Sequence, residues 1–122
     1  MKLRIKGNSI RLRLTQTEVK TFSAEGYVAE TCAVGPMQLT YALKSEDMEA
    51  PLSACFDSNL LVVSMSSKLA GPWFESPEVG YRHLAHTNVG EELFLLVEKD
   101  FVCLDETFED QSDNYPNPNS NC

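Results

Sequence analysis

What this chain of 122 residues lacks narrows its class before any motif does. Its longest apolar stretches, Leu60 to Met65 and Leu93 to Val97, fall far short of the roughly 20 residues that a membrane helix needs. At the N-terminus Lys and Arg alternate with Leu and Ile where a secretory signal requires an unbroken apolar run, so a cytoplasmic protein is expected. Cysteine is sparse: Cys32, Cys55, Cys103 and Cys122 are too few and too scattered for a secreted disulfide scaffold. Cys32 and Cys55 stand in apolar, strand-like surroundings, where inert core thiols are expected.

Further absences remove whole chemistries. Gly7 and Gly26 belong to no glycine-rich phosphate loop. The acidic run formed by Asp105, Glu106, Glu109, Asp110 and Asp113 lacks the glycine and closing glutamate of a calcium loop. Nothing around Cys55, Cys103, His83 or His86 matches a cysteine–histidine catalytic signature, so an enzyme is not the expectation. There is no internal repeat and no heptad, and basic residues are absent from Asp100 onward.

The bases that exist are concentrated. Lys2, Arg4, Lys6, Arg11, Arg13 and Lys20 are six of the ten, opposed locally only by Glu18, while the chain as a whole carries eighteen acids and a net charge of −8. The molecule is therefore electrically polar along its sequence, basic first and acidic last.

At 122 residues and 43% apolar content, one domain with a substantial core is expected. Leu3 and Ile5, then Ile10, Leu12 and Leu14, alternate with bases on either side of Gly7-Asn8, the period of a half-buried β-hairpin. That loop sets Ile5 opposite Ile10 and Leu3 opposite Leu12. It also sets Arg4 opposite Arg11 and Lys2 opposite Arg13. Thr15 with Glu18 forms a capping box for a short helix over Gln16 to Ala24, which Gly26 ends.

Strands follow over Tyr27 to Val34, Met37 to Leu43, Leu52 to Phe56 and Leu60 to Met65, with a charged loop from Lys44 to Pro51. Ser66 or Ser67 opens a second short helix that Gly71-Pro72 limits, and Trp73 and Phe74 close the core over it. Val79 to His83 and Leu93 to Phe101 complete an α+β domain, mainly antiparallel sheet, curled or a partial barrel. The expected core is residues 1–104, with 105–122 an acidic, Pro/Asn-rich tail packed on it.

Three sites merit attention. Like charges across an antiparallel pair repel, so Lys2, Arg4, Arg11 and Arg13 call for water and salt, an acidic segment of the same chain, or an external anion. No aromatic residue interleaves this hairpin, so nucleic acid is not the expected partner; a protein or a small anion is. Tyr115, Pro116 and Pro118 stiffen the tail, with Tyr115 its anchor. Cys103, Cys122, His83 and His86 are the soft metal ligands of the C-terminal half, for zinc or iron, although their spacing matches no standard zinc pattern; no cofactor is the default reading. Cys103 and Cys122 could alternatively close a disulfide.

Three stretches, KGNSIRLRLTQTEV from Lys6 to Val19, FLLVEKDFVCL from Phe94 to Leu104 and EDQSDNYPNPNSNC from Glu109 to Cys122, together resemble a family of small bacterial proteins catalogued only as a domain of unknown function. That resemblance implies a single-domain protein and carries no activity. The expectation is a non-enzymatic binding or accessory domain whose acidic tail folds back on its core.

Overall fold

In the computed structural model, which describes residues 1–87, 89–101 and 112–116, alternation decides most of the strands. Strand β1 (Lys2–Lys6) and β2 (Ser9–Leu14) form the opening hairpin with Leu3 opposite Leu12, Ile5 opposite Ile10, Arg4 opposite Arg11 and Lys2 opposite Arg13. Gly7 turns it at φ +54°, a conformation that costs glycine little. Helix α1 (Gln16–Glu25) begins in the capping box of Thr15 and Glu18 and ends at Gly26, φ +78°.

Next come β3 (Tyr27–Val34), β4 (Met37–Glu46), β5 (Leu52–Asp57) and β6 (Leu60–Ser66). Strand β4 runs on to Glu46 where a charged loop was expected, because its end pairs with β6, Ser45 beside Met65 and Glu46 beside Ser66. The helical content is smaller than expected. Only α1 is a full helix; α2 (Ser67–Ala70) is a single turn that gives way at Gly71-Pro72 to a 3₁₀ turn, Trp73–Glu75. Strands β7 (Gly80–His86) and β8 (Glu92–Lys99) finish the described strands. No described helix is long and apolar enough to cross a membrane.

The expected curled sheet or partial barrel is replaced by two four-stranded sheets, in the orders β1-β2-β8-β7 and β3-β4-β6-β5. Each consists of two antiparallel hairpins joined side by side through a parallel pairing, β2 with β8 in one and β4 with β6 in the other. Such a pairing closes sequence separations that alternation within a hairpin cannot encode. Between the sheets Leu12, Leu14, Leu95 and Val97 meet Leu43, Leu52, Val63 and Met65, with Phe22 and Trp73 among them. The two rings stand edge to face at 6.3 Å, and the indole Nε1 of fully buried Trp73 donates to the Glu78 carbonyl at 3.1 Å.

A repeat absent from the sequence emerges here. Hairpin, helix and hairpin (β1, β2, α1, β3, β4) recur as β5, β6, α2, β7 and β8, and each sheet takes one hairpin from each half. A shift of 51 residues carries Met1 onto Leu52, Leu12 onto Val63, Leu14 onto Met65, Thr15 onto Ser66 and Phe22 onto Trp73. The parallel registers agree as well: Leu12 lies beside Val97, and its counterpart Val63 beside Leu43. The Phe22–Trp73 contact thus joins equivalent residues of the two halves. Only Asn8 and Asn59 are identical between the superposed residues 1–22 and 52–73, which is why no repeat could be read.

Candidate anion-binding face

Register places the basic residues on one open surface. In the first sheet Leu3, Leu12, Val97 and Tyr81 form a row that turns inward. The alternate rows turn outward: Lys2, Arg13, Glu98 and Gly80; Arg4, Arg11, Leu96 and Arg82; Lys6, Ser9, Phe94 and Leu84. Six cations therefore share a face with Glu98. All four bases singled out in the sequence, Lys2, Arg4, Arg11 and Arg13, line one depression of about 400 Å³ with Met1, Leu3 and Tyr41. A second, of about 190 Å³, is lined by Arg4, Lys6, Ser9, Ile10, Arg11, Phe94 and Leu96. The cross-strand pair Arg4 and Arg11 borders both.

Part of the repulsion is answered inside the fold. One oxygen of Glu98, Oε1, accepts from Arg11 Nε at 2.6 Å and Arg13 Nε at 3.0 Å, and a second Arg11 nitrogen also contacts it. Lys2 Nζ lies 2.9 Å from the buried Asp100 carboxylate. Arg4, Lys6 and Arg82 have no ion-pair partner among the described residues. The face thus keeps a net positive charge in a protein of net charge −8.

The edge of the larger depression is tightly tied. The Met1 ammonium donates to Glu18 and, at 2.7 Å, to Glu30. Tyr41 Oη donates to the Met1 carbonyl at 2.9 Å and lies 3.0 Å from Glu30 Oε2. Burial, then the hydrogen bond and charge of Glu30, push the Tyr41 hydroxyl up to about 12. Burial opposes ionisation of Glu30, but the Met1 ammonium and the Tyr41 hydrogen bond outweigh it and hold the carboxyl below its ordinary value.

The tail anchor Tyr115 sits against the end of β8. Its ring lies 5.6 Å from that of Phe101 and 5.2 Å from the ammonium of Lys99, and its N–H donates to the Asp100 carbonyl at 2.7 Å. Buried Lys99 also lies over Trp73 at 6.0 Å and donates to the Ser76 carbonyl at 2.8 Å. Burial lowers its pKa, against a smaller opposing effect of Glu78. Two residues earlier, Asp113 caps α1: its carbonyl accepts from Gln16 N at 3.0 Å and its Oδ2 from Thr17 N at 3.3 Å. Burial works against its ionisation, yet hydrogen bonds from Thr17 and Thr15 hold the carboxyl below its usual range. Pro116 is exposed; Pro118 lies outside the described residues.

The other candidates fare differently. Cys32 and Cys55 are exposed, contrary to the expectation of core thiols. Cys32 stands on the projecting part of β3, past the packed residues, and Cys55 on the outward row of β5, a distinction that an apolar setting in sequence cannot make. Of the metal set, Cys103 and Cys122 lie outside the described residues, as do Asp105, Glu106, Glu109 and Asp110. His83 and His86, an odd number of places apart on β7, turn to opposite faces. Among the described residues no group of three or more potential ligands gathers.

Lys6, Arg82, Phe94, Leu96 and Glu98 belong to the basic face but were missed as site residues. Lys6 was legible from alternation alone. The others arrive through β8 and β7, and only the parallel β2–β8 pairing shows where they lie.

A family model described as a family of unknown function (DUF7009) matches residues 1–119. No curated protein and no solved structure matches the chain.

Proposed function

The chain belongs to the family of unknown function DUF7009, and from that premise, which carries no activity over, we propose a non-enzymatic binding domain for an extended anion bearing phosphate or carboxylate groups. The ligand lies on the outward face of the first sheet, between Lys2, Arg4, Lys6, Arg11 and Arg13. The acidic tail returns to the core beside α1 and leaves the domain as an accessory module.

The observation that carries this reading is the comparison the molecule makes with itself. In the second sheet the positions equivalent to Lys2, Arg4, Lys6, Arg11 and Arg13 are Ser53, Cys55, Asp57, Val62 and Ser64. The same hairpin, with the same register and the same parallel neighbour, forms there without a single base. The architecture has no need of the cations, and pairing Arg4 with Arg11 opposes it electrostatically. A ligand supplies the missing reason for them.

Calorimetric titration with inorganic tripolyphosphate tests it. Saturable binding is expected at low salt, weakening as ionic strength rises because exposed charges are screened within about 10 Å at 0.1 M. The double substitution Arg4→Glu and Arg11→Glu is expected to weaken it about tenfold or more. Lys44→Glu, at the position on the second sheet equivalent to Glu98, leaves it unchanged. Equal binding by wild type and the double variant refutes the assignment.

A further inference from the structure

The four edge strands of the two sheets are not equally protected. Strand β1 presents Lys2, Arg4 and Lys6, strand β7 presents Arg82, His83 and His86, and β5 lies alongside β7. Strand β3 differs: it pairs over all eight residues with β4 on one side, and Glu30 is its single charged residue. From Thr31 to Thr40, across the β3–β4 turn, there is no charge at all. At this edge, on the inward-facing side of the second sheet, Val34 on β3 and Met37 opposite it on β4 are 61% and 58% exposed. An unbulged edge with a single charge, next to exposed apolar side chains, is a template for another strand.

The sequence of the edge says which strand. Residues Val28-Ala29-Glu30-Thr31-Cys32-Ala33-Val34 form a near-palindrome about Thr31. We propose that β3 pairs antiparallel with β3 of a second copy about a two-fold axis at Thr31. In that register Val28 faces Val34 of the second copy, Ala29 faces Ala33, and Thr31 faces Thr31. Glu30 faces Cys32, so no like charges oppose each other. Opposed residues have the same parity, so the inward rows of the two copies run on as one surface. Val34, at the exposed tip of one copy, comes to rest beside Val28, which packs against the core of the other.

The near-palindrome favours a second copy over a foreign strand, because each residue meets its own symmetric counterpart. Two molecules of net charge −8 repel overall, so the pairing rests on a contact that carries a single acid per strand, Glu30, set opposite an uncharged Cys32. The pairing is isologous, each copy offering the same strand, and it closes at two chains. It joins the second sheets into one of eight strands and leaves the basic face of the first sheet free on both copies.

Light scattering coupled to size-exclusion chromatography, with sedimentation to obtain the dissociation constant, decides the matter on the full chain. Wild type is expected at the mass of two chains. Val34→Lys, at an exposed tip, and Thr31→Lys, which sets two ammonium groups on the axis, are expected to raise the dissociation constant about tenfold or more. Far-UV circular dichroism verifies that both variants remain folded. A wild-type monomer overturns the proposal, as does a dimer that tolerates Val34→Lys. Neither result bears on tripolyphosphate binding, which uses the other sheet.

Discussion

Glu98 holds two arginines with one carboxylate oxygen, and this makes it a brake on the face it belongs to. Glu98→Gln is expected to cost about 1 kcal/mol, the range of a partly exposed ion pair, while tightening tripolyphosphate binding several-fold by freeing the guanidiniums. A urea titration and a calorimetric titration of the same variant measure the two effects. Ser58 and Asn59 turn the β5–β6 hairpin at φ +52° and +64°, both in the left-handed region. Ser58→Gly relieves strain of about 1–2 kcal/mol against a smaller entropic cost, so a rise in stability of about 0.5–1 kcal/mol is expected in thermal unfolding. At Gly80 the reverse holds, since an added Cβ would stand 2.3 Å from the Val97 carbonyl.

Titration at the Met1 edge gives the residue scale its pH dependence. The Glu30 carboxyl is depressed, so its contribution is complete above the ordinary value of 4.5 and is lost as pH falls through the lowered one. Tyr41 is raised, so its contribution is complete below 10 and is lost as pH climbs towards about 12. Tyr41→Phe should weaken the alkaline limb and also shrink the acid limb, since Glu30 then loses the Tyr41 hydrogen bond and keeps the hydrogen bond and charge of the Met1 ammonium, read from the fluorescence of the single tryptophan against pH.

Among the elements, α1 is the best determined by its own residues. Thr15, Glu18 and Gly26 set its ends, and Val19 and Phe22 its buried side. Thr15→Ala should cost about 1 kcal/mol, measured by urea unfolding. The opening hairpin was equally legible: alternation and Gly7-Asn8 fixed each cross-strand pair from Leu3 to Ile10. Legibility ended where partners lay far apart. Arg11 beside Leu96 and Ala42 beside Val62 are parallel neighbours, and no local pattern names them. For the same reason Phe94 and Arg82 could not be assigned to the basic face, and Cys32 could not be told from a core residue. Tyr115 is intermediate, since its aromatic, proline-flanked setting pointed to an anchor but not to Lys99 and Phe101 as the place.

At the scale of the molecule, two halves of unlike sequence carry one plan, and their differences sort function from architecture. Apolar positions correspond, Leu12 with Val63 and Phe22 with Trp73, because the shared core demands it. Charged positions do not, because the outward faces are free of the packing that constrains the shared core. The tail adds a third contribution. Tyr115→Ala should cost about 2 kcal/mol, less than a fully buried ring, and a thermal melt would register it.

The exchange of hairpins between halves also orders events during synthesis. Every strand of the second sheet has been made once Ser66 leaves the ribosome, but β2 must wait for β8, more than seventy residues behind it, before its second edge is covered. Through that interval the basic hairpin is a nascent chain with one side open. The repulsion between Arg4 and Arg11 is therefore answered by Glu98 only after β8 has been made.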